Sequence, residues 1–372
     1  MNTNTQSAVR DTTPLAPGGT IGVVGGGQLG RMIGVAARQL GYRMIVLDPT
    51  PDCPAAAVAD AQVTAAYDDR EAALELVERC DRLTFEFENV PAETLAMLAE
   101  RKPTHPSPRV LETCRHRALE KSFLDQNGFP VARHRVVRSA EDAERAAIEL
   151  GGETILKTAE FGYDGKGQRR LKDASQARAA WDELDCPTAV LEAVVPFARE
   201  LSVICARRAD GQTAVFPVAE NVHKNHILFT STVPAAISPE RERAARELGV
   251  AIATALDVVG LLCVELFDTA DGLVVNELAP RPHNSGHHTI ESCATSQFEQ
   301  HVRALCGLPL GSPECIVEQA VMTNLLGDLW SDGEPDWTQV LTEPCAALHL
   351  YGKREARVGR KMGHITRITP RT

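Results

Sequence analysis

The sequence has no long hydrophobic run, because its most apolar stretch, residues 256–267, is interrupted by Asp257 and Glu265. We therefore expect no membrane-spanning helix and no membrane partner. Basic residues are outnumbered, with 39 Lys and Arg against 50 Asp and Glu and a formal net charge of −11. Proteins that bind nucleic acid normally present a basic face, so we expect no nucleic-acid partner. Residues 1–18 contain no apolar signal core and are expected to form a disordered leader.

Paired cysteines are missing as well. The ten cysteines are scattered singly, and no C-x-x-C motif occurs in the chain. This pattern excludes a disulfide framework and a cysteine-rich zinc domain, and it is typical of reduced thiols in the cytoplasm. The length of 372 residues exceeds what one compact core normally holds and predicts roughly two to four domains.

A glycine-rich turn, residues 25–30 (G-G-G-Q-L-G), follows the first predicted strand, Thr20–Val24. An apolar-periodic helix comes next, and a second predicted strand, Arg43–Leu47, ends at Asp48. The pattern predicts a βαβ unit. The turn satisfies G-x-G-x-x-G, and Asp48 stands where a dinucleotide fold places its ribose acid, so an NAD-dependent oxidoreductase is one reading. The residues themselves require only that some anionic group binds at the helix N-terminus.

Acidic and amide groups end another predicted strand, Asp81–Phe87. Ligands of open α/β sheets bind beyond the carboxyl ends of the strands, which makes Glu86, Glu88 and Asn89 candidate substrate contacts. A charged strand end in water explains each of them equally well. A proline-rich segment, residues 102–108, predicts the end of this first domain near residue 110.

Beyond this segment, the sequence predicts helices over Glu112–Asn127 and Ala140–Leu150 and strands over Thr213–Glu220 and Ile227–Val233.

A second glycine-rich segment follows the short apolar strand Thr154–Leu156, which ends at Lys157. The sequence F-G-Y-D-G-K-G at 161–167 can bring bare backbone N–H groups against an anion, and Lys157 adds a mobile positive charge for phosphate oxygens. The spacing is not that of a Walker A motif. It favours a nucleotide held between two β layers, although a β-hairpin with a loose turn would also fit this segment taken alone.

Two predicted strands joined by Asp271 and Gly272 each carry an acid inside an apolar run, Glu265 in the first and Glu277 in the second. A carboxylate within a buried strand is costly unless it is paired or bound to a cation. Two carboxylates with the amide of Asn276 suit Mg²⁺, which takes a few protein oxygens and completes its shell with phosphate and water. The alternative is that arginines nearby balance the two acids.

The segment A-P-R-P-H-N-S-G-H-H-T, residues 279–289, contains three histidines, but their spacing matches no compact zinc ligand set. Arg281 beside His283 is better suited to a small planar oxyanion such as carbonate. A basic patch near the end of the chain contains Lys353, Arg360 and Lys361. Its glycines and β-branched residues favour a phosphate site over a solvated tail.

These features together resemble the ATP-grasp enzymes. The strand lysine, the GYDGKGQ loop, the ELSVI strand, the VEL and NELAPRPHNSGHHT segments and the YGK…GRKMGH tail are similar to those of the 5-(carboxyamino)imidazole ribonucleotide synthase family of purine biosynthesis. The resemblance extends from about Gly22 to about Ile365. The ELAPRPHNSGHHT segment and the tail are its specific parts, and the first glycine turn adds weaker support.

The resemblance implies a mixed α/β and α+β fold. A Rossmann-like parallel-sheet domain would occupy residues 19–110, the two lobes of the ATP-grasp domain residues 111–186 and 187–318, and a small C-terminal β lobe residues 319–372. It implies ATP-dependent carboxylation of the exocyclic amine of 5-aminoimidazole ribonucleotide through carboxyphosphate. ATP and Mg²⁺ would be required, with Mn²⁺ able to substitute, and bicarbonate would be the co-substrate of a homodimer.

The resemblance also implies roles for individual residues. Metal binding falls to Glu265 and Glu277, and Asp164, Arg281, His283 and Lys353 are the expected catalytic residues. ATP would be surrounded by Arg117, Lys157, Gly162, Tyr163, Asp164, Gly165, Lys166, Gly167, Gln168, Glu192, Ala193, Val194, Val195, Glu200, His223, Asn276 and Glu277. The ribonucleotide would contact Gly27, Gln28, Leu29, Glu86, Asn89, Asn284, Ser285, Lys353, Arg360 and Lys361.

Three alternatives remain beside this expectation. The first is a sister ATP-grasp enzyme, such as a formate-dependent glycinamide ribonucleotide transformylase or a biotin carboxylase. The second is the NAD-dependent oxidoreductase, which leaves Lys157 and the acidic hairpin without a role, and the third is a catalytically silent homologue. The chain ends at Thr372, where family members are expected to continue through a further helix. We therefore expect a trimmed C-terminal lobe, or one completed by a partner subunit.

Overall fold

The computed structural model describes residues 13–160, 162 and 165–372.

Four parallel strands form the first sheet. The strands are β1 (Thr20–Val24), β2 (Arg43–Leu47), β3 (Ala61–Val63) and β4 (Arg82–Phe85), in the order β3-β2-β1-β4. The helices α1 (Gln28–Gln39), α2 (Arg70–Arg79) and α3 (Ala92–Ala99) accompany them. Alternate strand residues point to opposite faces, so Val23 packs with α1 while Leu47 packs with α2 and α3. The predicted Rossmann-like sheet is confirmed.

Part of the predicted leader packs on this domain. Leu15 donates its backbone N–H to the carbonyl of Cys306 at 2.9 Å, and its own carbonyl accepts the hydroxyl of Tyr42 at 2.6 Å. Residues 1–12 lie outside the described residues.

An antiparallel sheet forms the second layer. Its strands are β5 (His134–Val137), β6 (Thr154–Thr158), β7 (Gln168–Leu171) and β8 (Ala189–Ala193), in the order β5-β8-β6-β7. The helices α6 (Ala140–Leu150) and α7 (Ala177–Leu184) cover one face of it with small apolar side chains. The segment between β6 and β7 contains the second glycine-rich stretch. The predicted small lobe with a glycine-rich connection therefore has this sheet as its framework.

Two helices precede this sheet where the pattern predicted one helix over Glu112–Asn127. They are α4 (Pro108–Arg115) and α5 (Arg117–Gln126), and His116 separates them with an extended backbone. The N–H of Arg117 donates to the carbonyl of Ala159 at 2.8 Å, just after β6. The prediction of one helix was wrong because a tertiary hydrogen bond, invisible in the local pattern, starts a new helix here.

A nine-stranded sheet forms the largest layer. Its strands are β9 (Arg199–Arg207), β10 (Thr213–Val215), β11 (Ala219–Lys224), β12 (Ile227–Val233), β13 (Gly260–Thr269), β14 (Gly272–Ala279), β15 (Gln319–Leu326), β16 (Ala346–Leu350) and β17 (Lys361–Thr369). The order is β14-β13-β9-β11-β12-β15-β17-β16, with β10 paired to β9. The helices are α8 (Pro239–Ala255), α9 (Thr289–Ser292), α10 (Gln297–Leu305) and α11 (Thr338–Thr342).

The predicted C-terminal lobe joins this same sheet. β15 pairs with β12 from Thr230 to Val233, so the three last strands continue the sheet of the large lobe. The basic tail predicted as a phosphate-binding patch enters β17, whose residues 362–366 are all buried. The predicted strand Thr213–Glu220 is two strands, because Pro217 lacks the N–H that a continuous ladder needs. The exact domain boundaries stay predictions.

Membrane insertion through a helix finds no support in the described part of the chain, where every helix is too short or too polar to cross a bilayer.

Candidate active site

A cavity of about 550 Å³ lies where the three sheets meet. Its walls come from the glycine turn before α1, from the end of β4, from β6 and β7, and from the β13–β14 hairpin with the segment after it. Most of the predicted site residues line it together: Gln28, Leu29, Glu86, Glu88, Arg117, Lys157, Gly165, Lys166, Gln168, Glu200, His223, Glu265, Asn276, Glu277, Arg281, His283, Asn284 and Lys361.

Other predicted residues are not part of the described lining of this cavity. Two of them, Tyr163 and Asp164, lie outside the described residues, so their predicted roles have no structural counterpart here. Asn89 is exposed, and Glu192 and Ser285 are buried. The remaining predicted positions outside the lining are Gly27, Gly162, Gly167, Ala193, Val194, Val195, Lys353 and Arg360.

A second cavity of about 630 Å³ lies against α8 and β10. Arg246 and Glu247 are its charged residues, the rest of the lining is mostly apolar, and none of the predicted site residues that the structure describes borders it. Because chemistry on charged substrates needs converging polar groups, the site is the cavity between the three sheets.

Three buried charged residues, Lys121, Lys157 and Glu192, form a triad beside the cavity near β6. Lys157 Nζ donates to Glu192 Oε2 at 2.9 Å, and Lys121 Nζ lies 3.6 Å from the other oxygen, Glu192 Oε1. Burial alone would raise the pKa of Glu192, but the two ammonium groups outweigh it and lower the pKa from 4.5 to about 2. Glu192 is therefore ionised and committed to the two lysines, which fixes Lys157 at the edge of the cavity. Lys121 was not predicted as a site residue, because its neighbours in the sequence do not distinguish it from other lysines on helices.

The β13–β14 hairpin was predicted from the sequence, and its register places Glu265 opposite Glu277. Glu277 lies 3.4 Å from the guanidinium of Arg117, with 44% of its side chain exposed to the cavity side. Asn276 Nδ2 is 3.5 Å from Glu265 Oε2, and the carbonyl of Asn276 accepts Lys121 Nζ at 2.8 Å. The two carboxylates are thus partly balanced by cations of the protein and still share one surface.

His283 forms an ion pair with Glu265, with Nε2 to Oε1 at 3.0 Å. Burial disfavours the imidazolium, but Cys263 and Glu265 outweigh burial and raise the pKa of His283 to about 10. Burial likewise fails to keep Glu265 protonated, because His283 beside it lowers the pKa of the carboxyl to about 2. The other ring nitrogen, Nδ1, lies 2.8 Å from the hydroxyl of Ser285. Both ring nitrogens of His283 are therefore engaged by the protein.

Two more ion pairs complete the charged walls. Arg281 Nε lies 2.7 Å from Glu88 Oε1, which links the segment after β14 to the end of β4. His223 Nδ1 lies 2.9 Å from Glu200 Oε2. Burial would lower the pKa of His223, but its hydrogen bond to Glu200 and the charge of that carboxylate raise it.

The first glycine turn is occupied by the protein itself. The N–H groups of Gly27 and Gly30 both donate to the carboxylate of Glu86, the latter at 2.8 Å. Asp48 accepts the N–H of Gly26 at 2.7 Å and the hydroxyl of Tyr67 at 2.7 Å. The oxidoreductase hypothesis requires the turn to bind a pyrophosphate and Asp48 to bind a ribose. In the structure, the N–H groups of the turn and the carboxylate of Asp48 are instead bonded to other groups of the protein. Glu86 thus caps α1, and its predicted substrate contact stays a prediction.

The basic tail reaches the cavity through Lys361. Lys353 Nζ donates to the carbonyl of Lys361 at 2.8 Å, which places the two lysines side by side. Arg360 instead donates from Nη1 to the carbonyl of Glu355 at 2.9 Å. The tail therefore contributes Lys361 to the cavity wall, and Lys353 binds the backbone of Lys361.

Aromatic side chains at the cavity were missed by the sequence reasoning. Phe197 and Phe267 stack with ring centroids 4.6 Å apart and planes 12° apart, and both line the cavity. Phe197 is 45% exposed, which is unusual for a phenylalanine without a ligand. Such a pair provides an apolar wall for a planar base. The one sequence signal was the apolar V-V-P-F after β8.

The oxygen donors fit a hard divalent cation. Glu265, Glu277 and the amide of Asn276 form an all-oxygen set on adjacent strands, and such sets bind Mg²⁺ or Mn²⁺ together with phosphate oxygens. The proposed ligands are Glu265 and Glu277.

Comparisons with known proteins match nearly the whole chain. Residues 19–115 match the ribonucleotide synthetase preATP-grasp domain, residues 122–298 the ATP-grasp domain, and residues 320–372 the phosphoribosylaminoimidazole carboxylase C-terminal domain. The N5-carboxyaminoimidazole ribonucleotide synthase of Brucella melitensis is 51% identical over 365 residues, which cover 97% of this chain and 99% of that protein.

Two solved structures share the fold. An ADP complex of an N5-carboxyaminoimidazole ribonucleotide synthetase has a TM-score of 0.92 at 44% identity, covering 97% of this chain and 95% of that one. The Aspergillus clavatus synthase in complex with ADP and 5-aminoimidazole ribonucleotide has a TM-score of 0.86 at 32% identity, covering 95% and 94%. The predicted ATP-grasp architecture is confirmed, and the chain belongs to the N5-carboxyaminoimidazole ribonucleotide synthase family.

Proposed function

We propose that this protein carboxylates 5-aminoimidazole ribonucleotide with ATP and bicarbonate and releases ADP and phosphate. Family membership makes it an ATP-dependent ligase of purine biosynthesis. The observation that carries the full reaction is the single cavity between the sheets. It brings Lys157, the Glu265–Glu277 pair and the Arg281–His283 segment within reach of one small substrate set.

The nucleotide end of the cavity lies at β6, β7 and the aromatic wall. Lys157, held by Glu192, offers a fixed positive charge for phosphate oxygens. Phe197 and Phe267 supply an apolar surface for adenine, and the Glu200–His223 pair supplies a carboxylate for ribose hydroxyls. A homologous structure holds ADP, which supports this use of the fold.

The metal end lies on the β13–β14 hairpin. Glu265 and Glu277 would hold Mg²⁺, or Mn²⁺ in its place, and the ion would neutralise charge on the transferred phosphoryl group. Arg117 lies beside Glu277 and Lys121 holds the carbonyl of Asn276, so the hairpin is positioned before any ligand arrives.

The bicarbonate end lies between Arg281 and His283. An oxygen of bicarbonate attacks the γ-phosphorus of ATP, the bond to the β,γ-bridging oxygen breaks, and ADP leaves with the electron pair. Arg281 presents a guanidinium to the planar anion. His283 is held as a cation by Glu265 and adds positive charge to the same wall, while its own hydrogen bonds stay within the protein.

The ribonucleotide end lies between the glycine turn and the tail. Carboxyphosphate releases CO₂ and phosphate, the exocyclic amine forms the new C–N bond to CO₂, and the amine loses one proton. Gln28, Leu29, Asn284 and Lys361 line this side of the cavity, and Lys361 suits the 5′-phosphate. The Aspergillus clavatus complex with the ribonucleotide and ADP supports a shared cavity for both.

The first experiment measures ADP release with ATP, Mg²⁺ and bicarbonate, in the presence and absence of 5-aminoimidazole ribonucleotide. We expect strong stimulation by the ribonucleotide, because the activated carboxylate should form only when its acceptor closes the site. ATP binding without stimulation would reject this substrate and favour a sister ATP-grasp carboxylase or transformylase. Sedimentation under the same conditions tests the proposed homodimer.

Glu277→Ala tests the metal end. We expect the kcat to fall by about 100-fold or more, because phosphoryl transfer would lose a ligand of its cation. The matched control is Asp271→Ala, an exposed acid at the turn of the same hairpin, which should retain activity. Magnesium-dependent ATP binding, followed by calorimetry, should weaken in the first variant only. Equal activity in both variants would remove Glu277 from the metal site.

A further inference from the structure

Away from the cavity, a glutamate and two histidines converge from three elements. Glu291 lies on α9, His349 on the edge strand β16 and His364 on β17. One carboxylate oxygen and one ring nitrogen from each histidine all lie within 4.8 Å of one another. None of the three residues lines the cavity that holds the proposed reaction. Nothing in the carboxylation chemistry requires them.

The geometry of the cluster is tightly defined. His349 and His364 are directly opposite in the β16–β17 register, and their rings stack with centroids 4.4 Å apart and planes 10° apart. His349 Nε2 lies 2.6 Å from Glu291 Oε1. Donor atoms from three separate parts of the chain therefore lie close together.

Unpartnered buried atoms point to a missing ligand. His364 is fully buried, and its Nδ1 lies 2.8 Å from the hydroxyl of Tyr351. Among the described residues, His364 Nε2 and Glu291 Oε2 have no hydrogen-bond partner. A buried polar atom without a partner costs about 1–3 kcal/mol, so two in one cluster call for an explanation.

The hydrogen bond of Tyr351 suits a coordinating histidine. If His364 donates from Nδ1 to the Tyr351 oxygen, its Nε2 carries a lone pair, which is the usual arrangement of a metal-bound imidazole. The neighbouring His287 is not suited to coordinate a metal through Nε2. Its Nδ1 accepts a hydrogen bond from the side-chain amide of Gln297, so its Nε2 carries the hydrogen and has no lone pair to offer.

We propose that Glu291, His349 and His364 form a second metal site that binds one zinc-class divalent ion. Two imidazoles and a carboxylate suit Zn²⁺ and Co²⁺, whereas Mg²⁺ prefers oxygen ligands alone. A water molecule would take the remaining position. The site is structural, because the ion would tie α9 to β16 and β17, which are joined by the segment that contains Lys353, and Lys361 is the first residue of β17. His349, with 28% of its side chain exposed, provides the entry path.

The test titrates the full-length, chelator-treated protein with Co²⁺ while saturating Mg²⁺ occupies the catalytic site. We expect about one Co²⁺ per chain with the intense visible absorption of a low-coordinate site. Glu291→Gln and His349→Asn should each weaken binding by more than about tenfold, because even outer-shell changes produce that loss. Zn²⁺ should displace Co²⁺ and raise the Tm of the wild type but not of these two variants.

Two control variants distinguish a metal site from a cluster held by hydrogen bonds alone. His288→Asn changes a buried histidine that bonds Ser292 instead of joining the cluster, and it should retain Co²⁺ binding. Glu277→Gln should retain it as well, because that residue belongs to the magnesium site. Unchanged binding in both cluster variants overturns the proposal, as does equal loss in His288→Asn. In either case the cluster is a hydrogen-bonded group only, and the proposed carboxylation is unaffected.

Discussion

Charged side chains around the cavity are paired within the protein before any ligand binds. Arg281 pairs with Glu88, Arg117 with Glu277 and Lys157 with Glu192. An anionic substrate must therefore share each cation with a carboxylate already in place. The sequence indicated the residue types, because strand positions and the family resemblance selected them. It did not indicate the pairings, because each joins segments far apart in the chain.

Lys353→Ala should weaken the binding of the ribonucleotide without affecting the binding of ATP. Lys353 holds the carbonyl of Lys361 at 2.8 Å, so its loss should displace the lysine that faces the ribonucleotide. We expect the KM for the ribonucleotide to rise about tenfold or more while the Kd for ATP stays unchanged. Steady-state kinetics with calorimetry checks both. Wild-type behaviour across ribonucleotide concentrations would show that this substrate binds elsewhere.

Glu192→Gln should cost stability in a pH-dependent way. The pKa of Glu192 is about 2 in the folded protein against an ordinary 4.5, so its stabilising contribution is present above pH 4.5 and is lost as the pH falls toward 2. Near neutral pH we expect the free energy of unfolding to fall by about 3 kcal/mol, since two buried ammonium groups lose their counter-charge.

Urea unfolding of wild type and variant at about pH 6 and about pH 3.5 measures this difference, which should shrink at the lower pH. The control is Glu153→Gln, which removes an exposed partner of Arg170 and should change stability little. A difference that stays constant over the two pH values would show that Glu192 does not carry the charge assigned to it.

At the scale of elements, most strands and helices were predicted from the spacing of apolar residues and from the glycines and prolines that end them. The strands Thr20–Val24 and Ile227–Val233 and the helix Ala140–Leu150 have the predicted bounds. The failures have tertiary causes. The α4–α5 break depends on a hydrogen bond to Ala159. β17 was predicted only as part of a basic patch, because its basic residues obscured the buried run 362–366.

The N-terminus of α1 depends on a carboxylate from another element. Glu86 accepts hydrogen bonds from the N–H groups of Gly27 and Gly30. Gly27, the N-cap residue, has no side chain that could accept them. Glu86→Ala should lower the free energy of unfolding by about 1–3 kcal/mol, because two buried donors lose their acceptor. Denaturant unfolding measures this, with exposed Glu93→Ala as the control. Equal stability of both variants would show that the cap is not needed.

At the scale of the whole molecule, the continuous nine-stranded sheet joins the C-terminal strands to the ATP-grasp lobe. β12 and β15 share four residue pairs, so the two parts should open together. We expect hydrogen exchange to show equal protection for the paired amides of β12 and β15. Faster exchange throughout β15 and β17 would identify the C-terminal strands as a separate folding unit.

Most of the residues that line the cavity were selected mainly through the family resemblance. Spacing alone gave an anion-binding loop and a magnesium-suited hairpin, but it could not decide between an NAD-binding turn and a helix capped from within. That choice depends on Glu86, which lies 56 residues from Gly30 in the chain. The roles predicted for individual site residues stay predictions, and Tyr163 and Asp164 lie outside the described residues.

The buried triad of Lys121, Lys157 and Glu192 also constrains how this protein can evolve. Loss of Glu192 alone leaves two positive charges in the interior without a counter-charge, whereas loss of Glu192 together with one lysine leaves only one. Substitutions at these three positions should therefore be epistatic, and in a deep family alignment they should covary more strongly than neighbouring surface positions do.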